Sequence, residues 1–335
     1  MANRKQFVSF NGVNSSHDNI TCGVPQGSIL GPLLFLIYVN DMAGVSDKLF
    51  TMLFADDTNT FLTGKNVDVL IETMNEELKK LVDWMYSNKL SLNIAKTHFL
   101  IFRSKGMVKP VFSGSIVINN QNLIQENKTK FLGVIIDDTL AWGPHIQYIK
   151  GKISKGVGII CKAKNVLNQS TLVNLYYCFV YPYINYAIEI WGDTYDVHIN
   201  SIHKLQKKTV RIISKSKARD HTKPIFKKLE LLDVNKIHMF KVSLTMFKVF
   251  HKCVPSIFAG LFTYNHSVHA HQTRQSTKLH VPISRTRYMQ RAISVKGVKI
   301  WNALSNHIDY NCSILCYKYR LKKYLIDVED ISLIS

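Results

Sequence analysis

Apolar positions recur along this chain with two different periods. Residues 67–90, VDVLIETMNEELKKLVDWMYSNKL, carry Val67, Leu70, Ile71, Met74, Leu78, Leu81, Val82 and Met85 at helical spacing, with charges on the opposite face. That pattern predicts a long amphipathic helix. Shorter stretches alternate instead. KQFVSFNGVNSS (5–16) turns at Asn11-Gly12 and SIVINNQNLIQ (115–125) turns at Asn119-Asn120, so both read as hairpins. LSLNIAKTHFLIF (90–102) reads as a turn and a strand, and KFLGVIID (130–137) as one strand. The run ILGPLLFLIYV (29–39) is 11 residues long. As a helix it would reach about 16 Å, well short of a bilayer core of about 30 Å. It reads as a buried helix entered through a Pro- and Gly-marked loop.

Up to about residue 140 the order is strand, helix, strand, helix and then three strands. This suits an α+β layer arrangement, an antiparallel sheet with helices on one face. Beyond about residue 142 helical patterns, Lys/Arg clusters and aromatics dominate. The expected organisation is therefore an α+β domain over 1–145 and a basic, mainly helical region over 146–335, divided near DDTLAWGPH.

Charge sharpens that division. The chain of 335 residues has a formal net charge of +20. Residues 1–150 hold 14 Lys/Arg against 13 Asp/Glu, while residues 151–335 hold 29 against 10. A field so localised suits a polyanion such as nucleic acid. The six cysteines form no paired framework and are expected to be buried free thiols in an intracellular protein. Cys312 and Cys316 lack a matching second pair for zinc. The start, MANRKQFVSF, has no apolar core of a signal peptide. Nucleus and cytoplasm are both open to it, and no membrane contact is expected.

Four stretches carry candidate chemistry. LFADDTNTFL (53–62) sets Asp56 and Asp57 between two apolar strands, at the expected turn. Adjacent carboxylates repel, and a divalent cation relieves the repulsion; a solvated Asp-Asp turn is the plain alternative. GVPQGSILGP (23–32) leaves bare backbone at its glycines that a ligand can approach, or it caps a buried helix. LQKKTVRIISKSKARDHTKPIFKK (205–228) follows Lys204, and Lys204, Lys207, Lys208 and Arg211 share a helical face, with Leu205, Val210, Ile212 and Ile213 turned to a core. RTRYMQRAISVKGVKIW (285–301) adds Arg285, Arg287 and Arg291 among aromatics. These two clusters suit non-specific, salt-dependent phosphate contact; each alone also fits a solvated face. His269 and His271 lack the acidic neighbours of a metal site.

GVPQGSILGPLLFLIYVNDM followed by FADD resembles motifs B and C of the reverse transcriptases of non-LTR retrotransposons of the jockey-like LINE type. LSLNIAKTHFLIF resembles motif D, and KFLGVIID the primer-grip motif. NLYYCFVYPYINYAIEIWG (174–192), LQKKTVRII (205–213) and GVKIWNAL (297–304) are similar to the C-terminal region of the same elements. The resemblance implies a partial right-hand polymerase palm, motifs B to E, followed by a helical thumb. It implies RNA-directed DNA polymerase chemistry with Mg²⁺ on RNA and DNA template and primer. Asp56 would be the main metal ligand and Asp57 its companion. Pro25, Gln26 and Gly27 would line the incoming nucleotide and template base, and Lys96 would sit near the triphosphate. Phe131, Leu132 and Gly133 would hold the primer end.

One element of the pattern has no counterpart. The family's motif A aspartate ends an apolar strand before motif B, whereas the acid preceding Gly23 is Asp18, in the polar stretch NSSHDN, read as a loop. The fingers and motif A are expected from a longer chain. Two-metal nucleotidyl transfer needs more than one hairpin tip, so this chain alone is expected to be inactive and to bind metal weakly. The alternative is a non-catalytic nucleic-acid-binding remnant acting through its basic half.

Overall fold

In the computed structural model the described residues are 4–20, 23–24, 27–108, 110–268 and 275–328. The chain divides into two compact units, one formed by 1–100 with 107–126 and one by 101–106 with 127–335. No helix among the described residues is long and apolar enough to cross a membrane.

The first unit opens with β1 (Arg4–Gln6), β2 (Ser9–Phe10), β3 (Val13–Asn14) and β4 (Asp18–Ile20). β2 and β3 form the expected hairpin, with Asn11 and Gly12 both at positive φ, as a two-residue turn between twisted strands requires. Asp18 is not in a loop. It opens β4 and pairs with Gln6 of β1. α1 (Gly31–Val39) follows, starting at Gly31-Pro32, where proline's missing N–H goes unneeded.

The expectation of a buried helix fails at α1. Only Gly31 and Val39 are buried, whereas Leu33, Leu36, Ile37 and Tyr38 are exposed, Ile37 to 65%. The helix is apolar all round, and the small core of this unit covers little of it.

β5 (Phe50–Phe54) and β6 (Asp57–Phe61) form an antiparallel hairpin. α2 (Val67–Ser87) is the expected amphipathic helix, capped by the Asn66 side chain, which accepts from the Asp68 N–H. Ile71, Leu81 and Val82 are buried as the period predicts. Glu77, on the charged side of the pattern, is buried too. β7 (His98–Phe99), β8 (Val117–Ile118), β9 (Gln121–Asn122) and β10 (Ile124–Gln125) complete the unit. β8 and β9 turn at Asn119 and Asn120, both at positive φ, as expected. The core consists of two small clusters, one around Ile71, Val82, Ile116, Ile118 and Leu123, the other around Met42, Leu49 and Leu81.

The second unit starts with β11 (Lys128–Phe131) and β12 (Val134–Asp137), which correct the expected single strand 130–137 to a hairpin. Leu132 and Gly133 form its turn, at φ 44 and 83. A glycine inside a strand pattern is the signal that marks such a break. The hairpin joins the helices because Val134 belongs to their core. The change of texture near 140–150 therefore lies ten residues or more beyond the Glu126–Asn127 junction of the units.

Helices make up the rest: α3 (Gly143–Ala163), α4 (Gln169–Phe179), α5 (Tyr181–Asn185), α6 (Ile188–Trp191), α7 (Asp196–Ile213), α8 (Thr222–Lys228), α9 (Val234–Phe250), α10 (Ser256–Ala259), α11 (Asn265–Val268), α12 (Arg287–Arg291), α13 (Val298–Leu304) and α14 (Ile314–Asp327). Their shared core includes Ile153, Ile160, Leu172, Tyr176, Trp191, Ile202, Ile237, Met246 and Leu321, all but sealed from solvent. Each such side chain stabilises by about 1.5–3 kcal/mol relative to exposure. α3 and α4 approach closely at Gly156, where an added Cβ would lie 2.5 Å from the Phe179 carbonyl oxygen.

Fold class stands in its coarse form, a mixture of helices and small sheets. The single antiparallel sheet does not. Among the described residues the strands form six two-stranded ladders, and the β10–β7 ladder is parallel. Strands of two to five residues are too short to assemble a broad sheet.

Candidate nucleotidyl-transfer site and basic surface

The hairpin of β5 and β6 positions the two aspartates differently from the expected turn. Phe54 pairs with Asp57, so the turn residues are Ala55 and Asp56. Ala55 takes the left-handed conformation, φ 51, which puts Asp56 at the tip and Asp57 on the last rung. Strand side chains alternate between faces. Asp57 therefore shares a face with Phe54, Met52 and Asn59, and Leu53 and Thr58 share the other. Phe50, Met52 and Phe54 are exposed, while Leu53 packs on the Met42 cluster. The hairpin is thus anchored by one face, and the face bearing Asp57 is open. Both carboxylates are exposed.

The anchor is a buried polar knot. Ser46 Oγ donates to Glu77 Oε2 at 2.8 Å and accepts the N–H groups of Lys48 and Leu49. Lys80 Nζ bonds the same carboxylate at 2.8 Å. These bonds, Lys80 first, hold the Glu77 carboxyl below the usual carboxylate range. They fix the start of β5 to α2.

The other expected site residues scatter. Lys96 ends a short 3₁₀ turn, Ile94–Lys96, and is exposed. Gly27 sits at φ 84 before α1. Pro25 and Gln26 lie outside the described residues, as do His269 and His271. Among the described residues no hydrogen bond or ion pair joins Gly27 or Lys96 to Asp56 or Asp57.

Phe131, Leu132 and Gly133 come together at the β11–β12 turn. The Tyr186 hydroxyl donates to the Leu132 carbonyl, and Trp191 Nε1 donates to the Tyr186 carbonyl at 2.9 Å. Buried Asp137 holds the far end of the hairpin. Its carboxylate accepts from the N–H groups of Ala141 and Trp142 and from Thr139 Oγ1. Neither Tyr186 nor Asp137 is singled out by the sequence reading. The tyrosine-rich run 174–192 was the available signal for Tyr186.

The charge clusters lie on the second unit, which holds 34 Lys/Arg against 12 Asp/Glu, compared with 9 against 11 on the first. On α7, Lys204 and Lys208 are exposed and Lys207 and Arg211 half-buried. Val210 and Ile213 face the core as expected, together with the unexpected polar Gln206 and Thr209. Gln206 is fully bonded: it donates to Tyr176 Oη and the Leu232 carbonyl and accepts the Val234 N–H. Arg285 and Arg287 are exposed, and Arg291 is half-buried. Cys22 lies outside the described residues, and the described thiols are not the expected buried ones. Cys161, Cys178 and Cys253 are exposed and Cys312 and Cys316 half-exposed.

Residues 2–136 match the family model described as reverse transcriptase (RNA-dependent DNA polymerase). The chain is 30% identical over 222 residues to the RNA-directed DNA polymerase from mobile element jockey of Drosophila funebris, covering 63% of this chain and 24% of that protein. It is 28% identical over 219 residues to the probable RNA-directed DNA polymerase from transposon X-element of Drosophila melanogaster, with the same shares. Over 183 residues it is 25% identical to the Retrovirus-related Pol polyprotein from type-1 retrotransposable element R1 of Bradysia coprophila, covering 52% of this chain and 18% of that protein. The chain spans about a quarter of the length of the curated relatives it matches first. The resemblance to reverse transcriptases of non-LTR elements is borne out.

Reverse transcriptases generally use Mg²⁺, a hard cation bound through one or two carboxylates, waters and substrate phosphates. Asp56 and Asp57 supply the right donor atoms at an open hairpin tip. Among the described residues no three His, Cys, Asp or Glu side chains cluster as a metal set. The pair fits the protein share of one Mg²⁺ and does not by itself fit a two-ion bridge.

Proposed function

We propose that this chain is the portion of a non-LTR, jockey-like reverse transcriptase running from the nucleotide-contacting loop, through the metal-binding hairpin, into the thumb. In this reading residues 1–145 are palm and 146–335 the basic helical thumb and C-terminal region. Asp56 is the principal Mg²⁺ ligand and Asp57 its companion. Pro25, Gln26 and Gly27 line the nucleotide and template base, Lys96 serves the triphosphate, and Phe131, Leu132 and Gly133 hold the primer end. Template RNA and primer DNA contact Lys204, Lys207, Lys208, Arg211, Arg285, Arg287 and Arg291. The observation that carries the reading is the Asp56–Asp57 hairpin lying within the segment that matches the reverse transcriptase family.

The two-ion site needs a further carboxylate on a preceding strand, so activity requires a chain that includes one. The test is primer extension on an RNA template with Mg²⁺, by this chain and by a longer chain carrying an upstream motif A. Synthesis by the longer chain that is lost in Asp56→Asn supports the reading. Synthesis by this chain alone that dies in Asp56→Asn overturns the requirement for the upstream strand. Synthesis indifferent to Asp56 overturns the metal assignment.

A second reading is a nucleic-acid-binding protein in which only the basic unit works. It is favoured by the concentration of positive charge on the second unit, 34 basic against 12 acidic residues. RNA binding that survives double substitution of Asp56 and Asp57, with no polymerase activity in the longer chain, selects it. Either reading places the chain inside the cell, where its nucleic acids are.

A further inference from the structure

Two separate segments of the second unit converge on one half-buried ring, Tyr195. Lys105 Nζ, from the 101–106 segment, lies 4.6 Å from the ring centroid. The Arg291 guanidinium carbon, at the end of α12, lies 4.3 Å from it. The two charges are therefore at most about 9 Å apart. Cations held to an aromatic face keep their charge while losing conformational freedom.

The backbone around them is tied as well. Tyr288, one turn before Arg291 on α12, accepts the Lys105 N–H through its hydroxyl at 3.2 Å. The same hydroxyl donates to the Thr139 carbonyl at 2.8 Å. One side chain thus fixes Lys105, α12 and the loop before α3 together. Neighbouring cations are already paired: Arg103 with Asp138 at 3.2 Å, Lys296 with Asp193 at 3.8 Å. Among the described residues Lys105 and Arg291 have no carboxylate within ion-pair distance. The nearest acid is Asp193, which feels both Lys296 and Arg291 and has Asp196 beside it; burial raises the Asp193 carboxyl.

We propose that Lys105 and Arg291, held around Tyr195, form a phosphate-binding clamp for a nucleic-acid strand. Two like charges fixed this closely, neither with a carboxylate at ion-pair distance among the described residues, are relieved by an anion placed against both. The field of the whole unit favours a polyanion over a free phosphate. The inference rests on the nucleic-acid reading above and adds Lys105 and Tyr195, which no sequence cluster contains.

The test is fluorescence anisotropy of the full chain with a labelled single-stranded RNA of about 20 nucleotides, titrated across salt. Each phosphate contact on a single strand contributes about 0.7 to the slope of log K against log salt. K105A/R291A is expected to lower that slope by about 1.4 and to weaken binding at low salt at least tenfold. K318A/K323A, the same charge change on α14, should leave the slope unchanged. Y195L, with charge intact, should weaken binding while circular dichroism shows the native helical signal. Equal loss in K105A/R291A and K318A/K323A overturns the clamp and leaves general nucleic-acid binding standing. No RNA binding by the unsubstituted chain overturns both. Displacement of RNA by inorganic pyrophosphate at matched ionic strength reassigns the site to a free anion and overturns the strand proposal.

Discussion

The Tyr186 hydroxyl donates a 2.5 Å hydrogen bond to the Leu132 carbonyl, across 54 residues of chain. Leu132 and Gly133 are both at positive φ, so this carbonyl sits in a turn whose peptide orientation is demanding. Tyr186 is itself held by the Trp191 indole. The β11–β12 turn is thereby fixed to the helical core by a side chain that is largely exposed. Tyr186→Phe keeps the ring and removes the bond, with an expected loss of about 1 kcal/mol. Urea unfolding of the chain measures it. If the turn holds a primer end, primer extension by the longer polymerase should fall more than stability does.

Gly133→Ala strikes the same turn differently. At φ 83 a Cβ is strained whatever its surroundings, and here it would also stand 3.3 Å from Tyr186 Cε1. The expected cost is about 1–2 kcal/mol, larger than that of Tyr186→Phe. A Gly133→Ala chain as stable as the parent would show that the turn is free to relax.

Ser46 and Glu77 should matter to the first unit out of proportion to their size. Ser46→Ala leaves the Lys48 and Leu49 N–H groups without their partner and removes one of the two donors to Glu77 Oε2, Lys80 Nζ remaining. Unmade bonds to buried groups cost about 1–3 kcal/mol. Hydrogen exchange should rise first in residues 50–61, which begin at this knot. Glu77 adds a pH signature. Its folded carboxyl titrates below its ordinary value, so its stabilisation is present above about pH 4.5 and is lost as pH falls through the folded value.

The elements with strong local signals were legible in the sequence. Asn11-Gly12 and Asn119-Asn120 dictate their turns because asparagine and glycine tolerate positive φ. The period of α2 declares its buried stripe. What escaped depends on distant partners. Glu77 reads as surface charge until Ser46, Lys48 and Lys80 surround it. Apolar α1 reads as core, yet periodicity cannot say whether a covering layer exists. The Asp56–Asp57 tip slipped by one residue because Ala55, with no sequence cue, takes the left-handed position. The clamp around Tyr195 joins residues 90 or more apart and leaves no local pattern at all.

Two buried histidines predict acid sensitivity in the helical unit. Burial pushes both His145 and His238 down to about 4. His145 Nδ1 accepts the Ile135 N–H at 3.3 Å, which requires the neutral ring. His238 packs against Gly192, where a Cβ would meet its ring at 2.5 Å. The folded values lie below the ordinary histidine value near 6.5. The unfolded chain therefore takes up protons first, and stability present above pH 6.5 is lost as pH falls toward 4. Each group accounts for about 2 kcal/mol by pH 5. Unfolding followed at pH 7.5 and pH 5 should show the loss, and His238→Phe should flatten the slope where it is tolerated. A pH-independent transition between these values would mean that the rings are solvated.

Asp56 and Asp57 should be dispensable for folding and indispensable for chemistry, and this separates a functional pair from a solvated turn. Both side chains are exposed, and neither forms a hydrogen bond or ion pair among the described residues. The turn is set by Ala55 and the Phe54–Asp57 rung, which is a backbone pairing. Asparagine can occupy both positions with the same backbone and without the mutual repulsion of two carboxylates. Asp56→Asn/Asp57→Asn is therefore expected to unfold at the same temperature as the parent or slightly higher. RNA binding, proposed for the basic unit, should not change beyond about twofold. If the pair holds Mg²⁺ as proposed, the same double substitution in the longer polymerase should lower extension at least about 100-fold, since disturbing even the outer partners of a metal ligand costs 10–100-fold. Asp56→Asn alone should account for most of that loss and Asp57→Asn for less, because Asp56 stands at the tip and Asp57 on the rung beside Phe54. Equal and small effects of the two single substitutions would identify the pair as a solvated turn.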